Sequence, residues 1–229
     1  METERQNQAV AAYDRLKQDI VAGHFRPGEK LLMSHLKERY SLGTGPMREA
    51  LSQLVAERLV TAISQRGYRV AKMSLAELED IYDARAHLEA MIVGLAVERG
   101  DEHWEAQVIA SAHTLASVAE IRSPEEMLSL WDRRHQAFHT AIASGCGSDK
   151  LMEARASLMG QAERYRQLWL RQTVFSTEAL AHKREEHAAL VEVLLARDAA
   201  RASQMMLEHL QTPVPIITAV VRDAHLVAD

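Results

Sequence analysis

The fold of the first third of this chain is decided by residues 28–60, GEKLLMSHLKERYSLGTGPMREALSQLVAERLV. Within it, MSHLKERY predicts a short helix, SLGTG a tight connection, and PMREALSQLVAER a second helix. Pro46 suits the first turn of that second helix, and the glycines just before it interrupt the helical pattern. Two helices joined by so short a turn are typical of a helix-turn-helix unit.

The segments on either side predict a winged form of this unit. Before it, the apolar residues of AVAAYDRLKQDIVAG recur at helical spacing and stop at Gly23. After it, the β-branched runs RLVTAI and YRVAKM are separated by SQRG, which predicts a β-hairpin. The order helix, helix, turn, helix, hairpin predicts a winged helix-turn-helix. The best boundary is Lys72-Met73-Ser74, so we expect domains at residues 1–73 and 74–229.

From residue 74 onward the pattern is entirely helical. Ser74 and Glu77 form an S-x-x-E capping box that opens a helix running to about Gly100. A second box, SPEE from residue 123, opens a helix that GCGS interrupts at residue 145. Further helices are expected from there to about Gln172, from Thr177 to Ala196 and from Arg197 to Leu210. The fold class is therefore mainly α, a winged helix-turn-helix followed by an all-α bundle of about six helices.

Composition favours a soluble protein that works without a membrane. Hydrophobic residues make up 47% and charged residues 26% of the chain, both ordinary values. No apolar run approaches the roughly 18 residues of a membrane span, and METERQNQAV does not resemble a signal peptide. The single cysteine, Cys146, excludes an internal disulfide and fits a reducing cytoplasm.

The charge is distributed unevenly along the chain. The overall net charge of −5 argues against a nucleic-acid-binding protein. However, residues 1–72 carry 12 basic against 8 acidic side chains, a net +4, whereas residues 73–229 carry 15 against 24, a net −9. A basic end on an acidic body is expected when one end approaches a polyanion, although random segregation of surface charge would give the same pattern.

Residues 28–60, followed by QRGYRVAKMS, resemble the winged helix of the GntR family of bacterial transcription regulators. The matches to the family pattern are Gly28, Leu31, Leu36, Pro46, Arg48, Glu49, Ala50, Leu51, Leu54, Leu59, Val60, Gly67 and Val70. The resemblance implies binding to double-stranded operator DNA.

The expected DNA contacts lie at two places. The first turn of the second helix would enter the major groove, where Arg48 can reach a phosphate or a guanine edge. The hairpin tip would reach the backbone or the minor groove. The expected contact residues are Ser34, Thr44, Gly45, Met47, Arg48, Arg66, Gly67 and Arg69. Thr44 and Ser34 stand where family members commonly carry arginine, so the resemblance extends to DNA binding and not to the operator sequence.

Two histidines in RRHQAFHTA, His135 and His139, are one helical turn apart. That spacing puts both imidazoles on one helix face, where they could share a metal ion or pack as half-buried core residues. Two more histidines, His187 and His209, lie on later predicted helices, 48 residues beyond His139 and a further 22 residues on.

The helical body resembles the effector-binding domain of the FadR subfamily, called FCD. Metal-binding members carry Asp-x-x-x-His on one helix and a histidine on each of two later helices. The resemblance implies His139, His187 and His209 as ligands, with His135 in the place of the aspartate. Nitrogen ligands without a thiolate favour zinc or nickel. Four neutral imidazoles leave the charge of a divalent ion uncompensated, which suits an anionic effector.

The resemblance also places Arg85 in the effector cavity, where a guanidinium can bind a carboxylate through two hydrogen bonds. An ordinary salt bridge from Arg85 to Asp83 or Glu89 is the alternative. Arg164, Tyr165 and Arg166 are candidates for a second carboxylate clamp, of which one or two can face inward. The stretches WDRRHQAFHTAIASGCGS, AERYRQLWLRQTV and LARDAARASQMMLEHLQTPVPII resemble a branch of the family and imply glutarate or 2-hydroxyglutarate as effector. The chemistry alone would equally fit lactate, citrate or a sugar acid.

Three functions are compatible with these features. The first is a homodimeric repressor that a small carboxylate releases from its operator. The second is a metal-responsive repressor in which the ion itself is the signal. The third is a three-histidine metal hydrolase with Glu186 as general base, although a DNA-binding head has no place in it. We therefore expect a regulator and not an enzyme, and whether the effector weakens or strengthens DNA binding stays open.

Overall fold

The computed structural model describes residues 2–64 and 66–223, with side chains from residue 7 onward. The N-terminal part begins with α1 (Glu2–Val21), followed by α2 (Met33–Tyr40) and α3 (Thr44–Ala56). α2 ends at Ser41, which adopts the left-handed conformation with φ 54°, and α3 begins after Gly43. The connection between α2 and α3 is therefore the predicted tight turn of a helix-turn-helix.

Three short strands complete this part. They are β1 (Lys30–Leu31), β2 (Val60–Ile63) and β3 (Gly67–Val70), and they form an antiparallel sheet in the order β1-β3-β2. β2 and β3 are the expected hairpin, with Gly67 at φ +87°, a conformation that favours glycine. The sequence did not predict β1, because two residues are too few to show the alternation of a strand. The elements from α1 to β3 are called the head.

The remaining elements are helical and are called the body. They are α4 (Leu75–Arg99), α5 (Glu102–Ala116), α6 (Pro124–Glu126), the π-helical segment π1 (Met127–Asp132), α7 (Arg133–Ser144), α8 (Asp149–Leu170), α9 (Thr177–Leu195), α10 (Ala199–Gln211) and α11 (Val214–Asp223). Both predicted capping serines accept a hydrogen bond from the backbone three residues on, Ser74 from Glu77 and Ser123 from Glu126. α5 and π1 were not predicted.

The body is a bundle in which α4 is the central helix. α4 makes its most extensive contact with α10 and also contacts α7, α8 and α11. The approach of α10 is close, because a Cβ on Gly94 would come within 2.7 Å of the Ser203 hydroxyl. Around α4, α5 packs on α7 and α9. This arrangement brings α7, the middle of α9 and the last turn of α10 to one place.

A small apolar cluster packs the connection that follows the head against the body. Met73 from the connection, Tyr82 from α4, Tyr165 from α8 and Ile217 from α11 are buried together. α8 therefore contacts both the connection and the core of the body. Within the described ranges, none of the helices is long and apolar enough to cross a bilayer.

Candidate metal centre and ligand cavity

Four histidines from three helices converge in the body. His135 and His139 lie on α7, His187 on α9 and His209 on α10, and one nitrogen of each lies within 4.8 Å of the others. His139 and His187 are buried, whereas His135 and His209 are half-buried. The fold thus brings together all four histidines that the sequence predicted as ligands.

The ring nitrogens of the cluster are arranged for ligation. The Nε2 atoms of His135 and His139 lie 3.0 Å apart. Nε2 of His187 is buried and has no hydrogen-bond partner among the described residues. An unpartnered buried polar atom costs about 1–3 kcal/mol. A metal ion would remove that cost, so the residues present fit a divalent cation with nitrogen ligands.

The electrostatic surroundings keep these imidazoles neutral. Burial, followed by repulsion from its histidine neighbours, lowers the pKa of His135 and of His139 well below the usual range. Burial lowers the pKa of His187 to about 3, and burial with the nearby charges of Lys183 and Arg85 lowers that of His209 to about 4. Neutral imidazole is the form that ligates a metal, so protons do not compete for the site near neutral pH.

A cavity of about 240 Å³ adjoins the cluster, with walls from α4, π1, α7, α8, α9, α10 and α11. His135 and His209 line it on one side, and Arg85, Arg166 and Lys183 supply three cationic side chains to its wall. A larger cavity of about 370 Å³ lies between α5 and α9. Of the four clustered histidines, His187 is the one that lines it. The smaller cavity is the better candidate for a ligand that touches a bound metal, since it is lined by two histidines and Arg85.

Arg85 is close to one buried carboxylate but donates no hydrogen bond to it. Its side chain is 7% exposed, and its Nε lies 3.6 Å from Glu89 Oε1, longer than a hydrogen bond. Arg155 Nε holds the other carboxylate oxygen of Glu89 at 2.9 Å. Two guanidinium groups therefore share one buried carboxylate, which leaves an excess positive charge beside the cavity. The alternative expectation was an ordinary salt bridge from Arg85 to Asp83 or Glu89. The structure shows an ion pair with Glu89 at this longer distance of 3.6 Å.

Of the three residues expected to form a second carboxylate clamp on α8, Arg166 lines the cavity and Arg164 and Tyr165 do not. Arg166 lines the cavity, where it pairs with the carboxylates of Asp132 and Glu163. Arg164 and Tyr165 do not line it: Arg164 Nη1 donates to the Ala71 carbonyl at 2.8 Å, and the Tyr165 hydroxyl contacts the backbone of Ser74 at 3.1 Å. Successive residues of an α-helix point about 100° apart, so three in a row cannot share one cavity.

Several cavity residues were missed by the sequence reasoning. Gln136, Trp169, Phe175 and Lys183 line the cavity, and the Trp131 ring stacks on His135 with centroids 4.5 Å apart. Trp169 lies in AERYRQLWL, the stretch that the sequence analysis considered for a carboxylate clamp. Its position one helical turn after Arg166 was the signal that both side chains face the same cavity. Glu186, the base of the hydrolase hypothesis, pairs with Lys183 at 2.7 Å and lies 4.0 Å from His209.

In the head, most of the expected DNA-contacting residues are accessible. Arg48 is exposed on the first half of α3, and Arg66 and Gly67 are exposed at the hairpin tip. Ser34 on α2 and Arg69 on β3 are also exposed, although Arg69 donates a hydrogen bond to the Gly28 carbonyl at 2.9 Å. Thr44 and Gly45 are half-buried at the start of α3.

The prediction that Met47 contacts DNA is wrong. Its side chain is 0% exposed and belongs to the apolar core of the head, so it cannot reach DNA. Met47 lies on the face of α3 that carries Ala50, Leu51 and Leu54, which are buried in the same core. The exposed Arg48 is one residue further along the helix and points to solvent.

The comparisons agree with this two-part architecture. The family described as bacterial regulatory proteins, gntR family, matches residues 8–70, and the FCD domain family matches residues 80–212. The chain therefore belongs to the GntR family of bacterial regulatory proteins and carries an FCD domain.

Two curated relatives and one solved structure illustrate the similarity. The chain is 58% identical to the HTH-type transcriptional repressor GlaR of Escherichia coli (strain K12) over 91% of its own length and 95% of that protein's. It is 36% identical to the uncharacterized HTH-type transcriptional regulator BphR of Paraburkholderia xenovorans (strain LB400), over 90% and 84%. The structure of E. coli McbR/YncC has the same fold, with a TM-score of 0.73 and 21% identity over 93% and 97%. Since these relatives are regulators, the hydrolase hypothesis is set aside.

Proposed function

We propose that this protein is a metabolite-responsive transcriptional repressor. The head, residues 1–73, binds operator DNA, and the body, residues 74–229, binds a metal ion and a small carboxylate. Carboxylate binding releases the repressor from DNA. The observation that carries the proposal is that two of the four clustered histidines and Arg85 line one cavity. The repressor name of the relative with 58% identity supports the assignment as a repressor.

The metal ligands in this proposal are His135, His139, His187 and His209, and the ion is zinc or nickel. Four nitrogen donors without sulfur or carboxylate suit these borderline ions better than magnesium or calcium, which prefer oxygen. When bound, the ion supplies a positive centre that a carboxylate oxygen can ligate. No carboxylate among the four ligands offsets that charge, so the site favours an anionic effector.

The effector is a five-carbon dicarboxylate, glutarate or 2-hydroxyglutarate. A cavity of about 240 Å³ has room for about eight water-sized groups, at about 30 Å³ for each, which is the scale of a short-chain acid. Arg85 binds the carboxylate nearest the histidines through its guanidinium, whose contact with Glu89, at 3.6 Å, is longer than a hydrogen bond. Arg166 and Lys183 also line the wall, but both are already paired with carboxylates, Arg166 with Asp132 and Glu163 and Lys183 with Glu186. The size of the cavity and the donors on its wall suit a small ligand with two anionic groups.

The route from the cavity to the head runs through α8. Arg166 faces the cavity, whereas Arg164 and Tyr165, the two residues before it, hold Ala71 and Ser74 in the connection to the head. A ligand that displaces the Arg166 side of α8 therefore also displaces the connection. In this proposal the movement changes the spacing of the two heads of a homodimer, so they no longer match two operator half-sites.

DNA binding itself is assigned to α3 and the hairpin. Arg48 is exposed near the start of α3, where a recognition helix meets base edges or phosphates. Arg66 and Gly67 at the tip of the β2–β3 hairpin reach the backbone or the minor groove, and the positive φ of Gly67 permits a close approach. The net positive charge of residues 1–72 supports this assignment.

A gel-shift titration tests the proposal. Zinc-loaded and zinc-stripped protein are bound to the DNA upstream of the gene that encodes this chain, and glutarate, 2-hydroxyglutarate and lactate are titrated. We expect a five-carbon acid to release the zinc-loaded protein, with a much weaker effect on the stripped protein. Release by zinc removal alone would favour the metal-responsive alternative. Specific DNA binding that no acid alters would refute the effector while leaving the DNA-binding assignment in place.

A further inference from the structure

We propose that the indole N–H of Trp169 binds the end of the effector that lies away from the metal, and so selects dicarboxylates over monocarboxylates. The inference rests on the function proposed above and specifies a residue in its ligand cavity. Trp169 lies on α8 and lines the cavity of about 240 Å³ beside the histidines.

The first argument is that the indole N–H lacks an acceptor. Trp169 Nε1 is buried and has no hydrogen-bond partner among the residues that the structure describes. Trp104, a buried tryptophan elsewhere in the body, donates to the carbonyls of Ala141 and Ile142 at 3.1 and 3.0 Å. Buried donors in folded proteins nearly always have a partner, so an orphaned one beside a cavity indicates that the partner is a ligand.

The second argument is position along the cavity. The His135 ring stacks on Trp131, the Trp131 ring contacts Phe175 at 4.9 Å between centroids, and Phe175 contacts Trp169 at 6.1 Å. Two aromatic rings thus lie between the metal ligands and Trp169. Such a wall suits methylene groups, and the next donor along it is the indole N–H.

The third argument is chemical complementarity. Within the described part of the chain, three buried atoms without a hydrogen-bond partner belong to side chains that line this cavity: Arg85 Nε, Gln136 Oε1 and Trp169 Nε1. Gln136 Oε1 is an acceptor and offers nothing to a carboxylate. Arg85 and Trp169 are donors, and one carboxylate on each matches a short chain with an acid at both ends. A monocarboxylate would satisfy one donor and leave the other unpaired.

The test compares two acids of equal chain length, glutarate and pentanoate, on the full-length zinc-loaded protein. Isothermal titration calorimetry gives the Kd of each acid for the wild type and for Trp169→Phe, which removes the N–H and keeps an aromatic ring. We expect W169F to weaken glutarate about 10- to 100-fold, the effect of one hydrogen bond to a charged group, and to change pentanoate by less than about twofold. Trp104→Phe is the matched control, because it removes an indole N–H outside the cavity, and its ratio of the two affinities should equal that of the wild type.

The outcomes separate this inference from the proposed function. Equal weakening of both acids by W169F would show that Trp169 only packs, and would overturn the inference while zinc-dependent glutarate binding by the wild type stands. Glutarate that binds no better than pentanoate to the wild type would also overturn it. If the wild type binds neither acid in the presence of zinc, the proposed effector is wrong and the inference fails with it. Pentanoate binding and an unchanged melting midpoint show that W169F is folded.

Discussion

Replacing Arg85 by glutamine gives the most direct test of how the cavity binds an anion. The substitution removes the guanidinium and keeps a polar side chain of similar length. Glu89 keeps its shorter contact, because Arg155 Nε remains 2.9 Å from it. Arg85, Glu89 and Arg155 together carry a net charge of +1, and R85Q lowers it to zero. Because no buried charge is left without a partner, we expect R85Q to fold and to retain its zinc site.

The expected loss of carboxylate affinity follows from the contacts of Arg85. A bidentate guanidinium–carboxylate pair has two charge-assisted hydrogen bonds, together about 3–4 kcal/mol. Little of that is offset in the free protein, since the Arg85–Glu89 contact is 3.6 Å and is not a hydrogen bond. At about 1.4 kcal/mol for each factor of ten, the Kd for glutarate should rise about 100- to 1000-fold.

Calorimetric titration of glutarate into zinc-loaded protein measures this change. Arg164→Gln is the matched control: it is also a buried arginine, but it contacts the Ala71 carbonyl and does not line the cavity. We expect R164Q to bind glutarate like the wild type. A Kd for R85Q within about threefold of the wild-type value, in protein that still binds zinc, would refute the assignment of Arg85 as the anion ligand.

The remaining predictions concern the metal, the coupling and the DNA. Zinc at about 100 times its Kd should stabilise the wild type by about 2.7 kcal/mol and raise its melting midpoint by about 5–10 °C. His139→Ala should abolish that rise in calorimetric scans, and an equal rise in both proteins would contradict the site. Tyr165→Phe removes the hydroxyl that contacts Ser74 and Glu77. In a gel shift, Y165F should need more glutarate for release at unchanged glutarate affinity, whereas unchanged release would exclude the α8 route. Arg48→Ala should weaken operator binding about tenfold or more and lower its salt dependence, and an unaltered salt titration would show that Arg48 does not contact the DNA.

The sequence by itself determined the local structure. Glycines and a proline at fixed positions between apolar helical stripes define the helix-turn-helix, and two capping serines define where α4 and α6 begin. These features depend on backbone conformation and on contacts between residues three or four apart, which a linear pattern records. The four-residue spacing of His135 and His139 likewise put both rings on one face of α7 without knowledge of any other helix.

The meeting of His187 and His209 with that pair was predicted from a family resemblance and not from their spacing. Their separations in the chain do not say which helices pack together, and it is the packing of α7, α9 and α10 beside α4 that unites the cluster. The same limit explains Met47, whose position one residue before Arg48 gave no sign that it faces the core.

Only the tertiary structure decided which side of α8 meets the ligand. The run Arg164-Tyr165-Arg166 supplies three polar side chains, and a linear pattern cannot tell which of them turns to the cavity. Packing of α8 against α4 and α11 sets its rotation, which directs Arg166 and Trp169 to the cavity and Arg164 and Tyr165 to the connection with the head. The rotation of a helix about its own axis is fixed by contacts with distant segments, and so chain order alone could not reveal it.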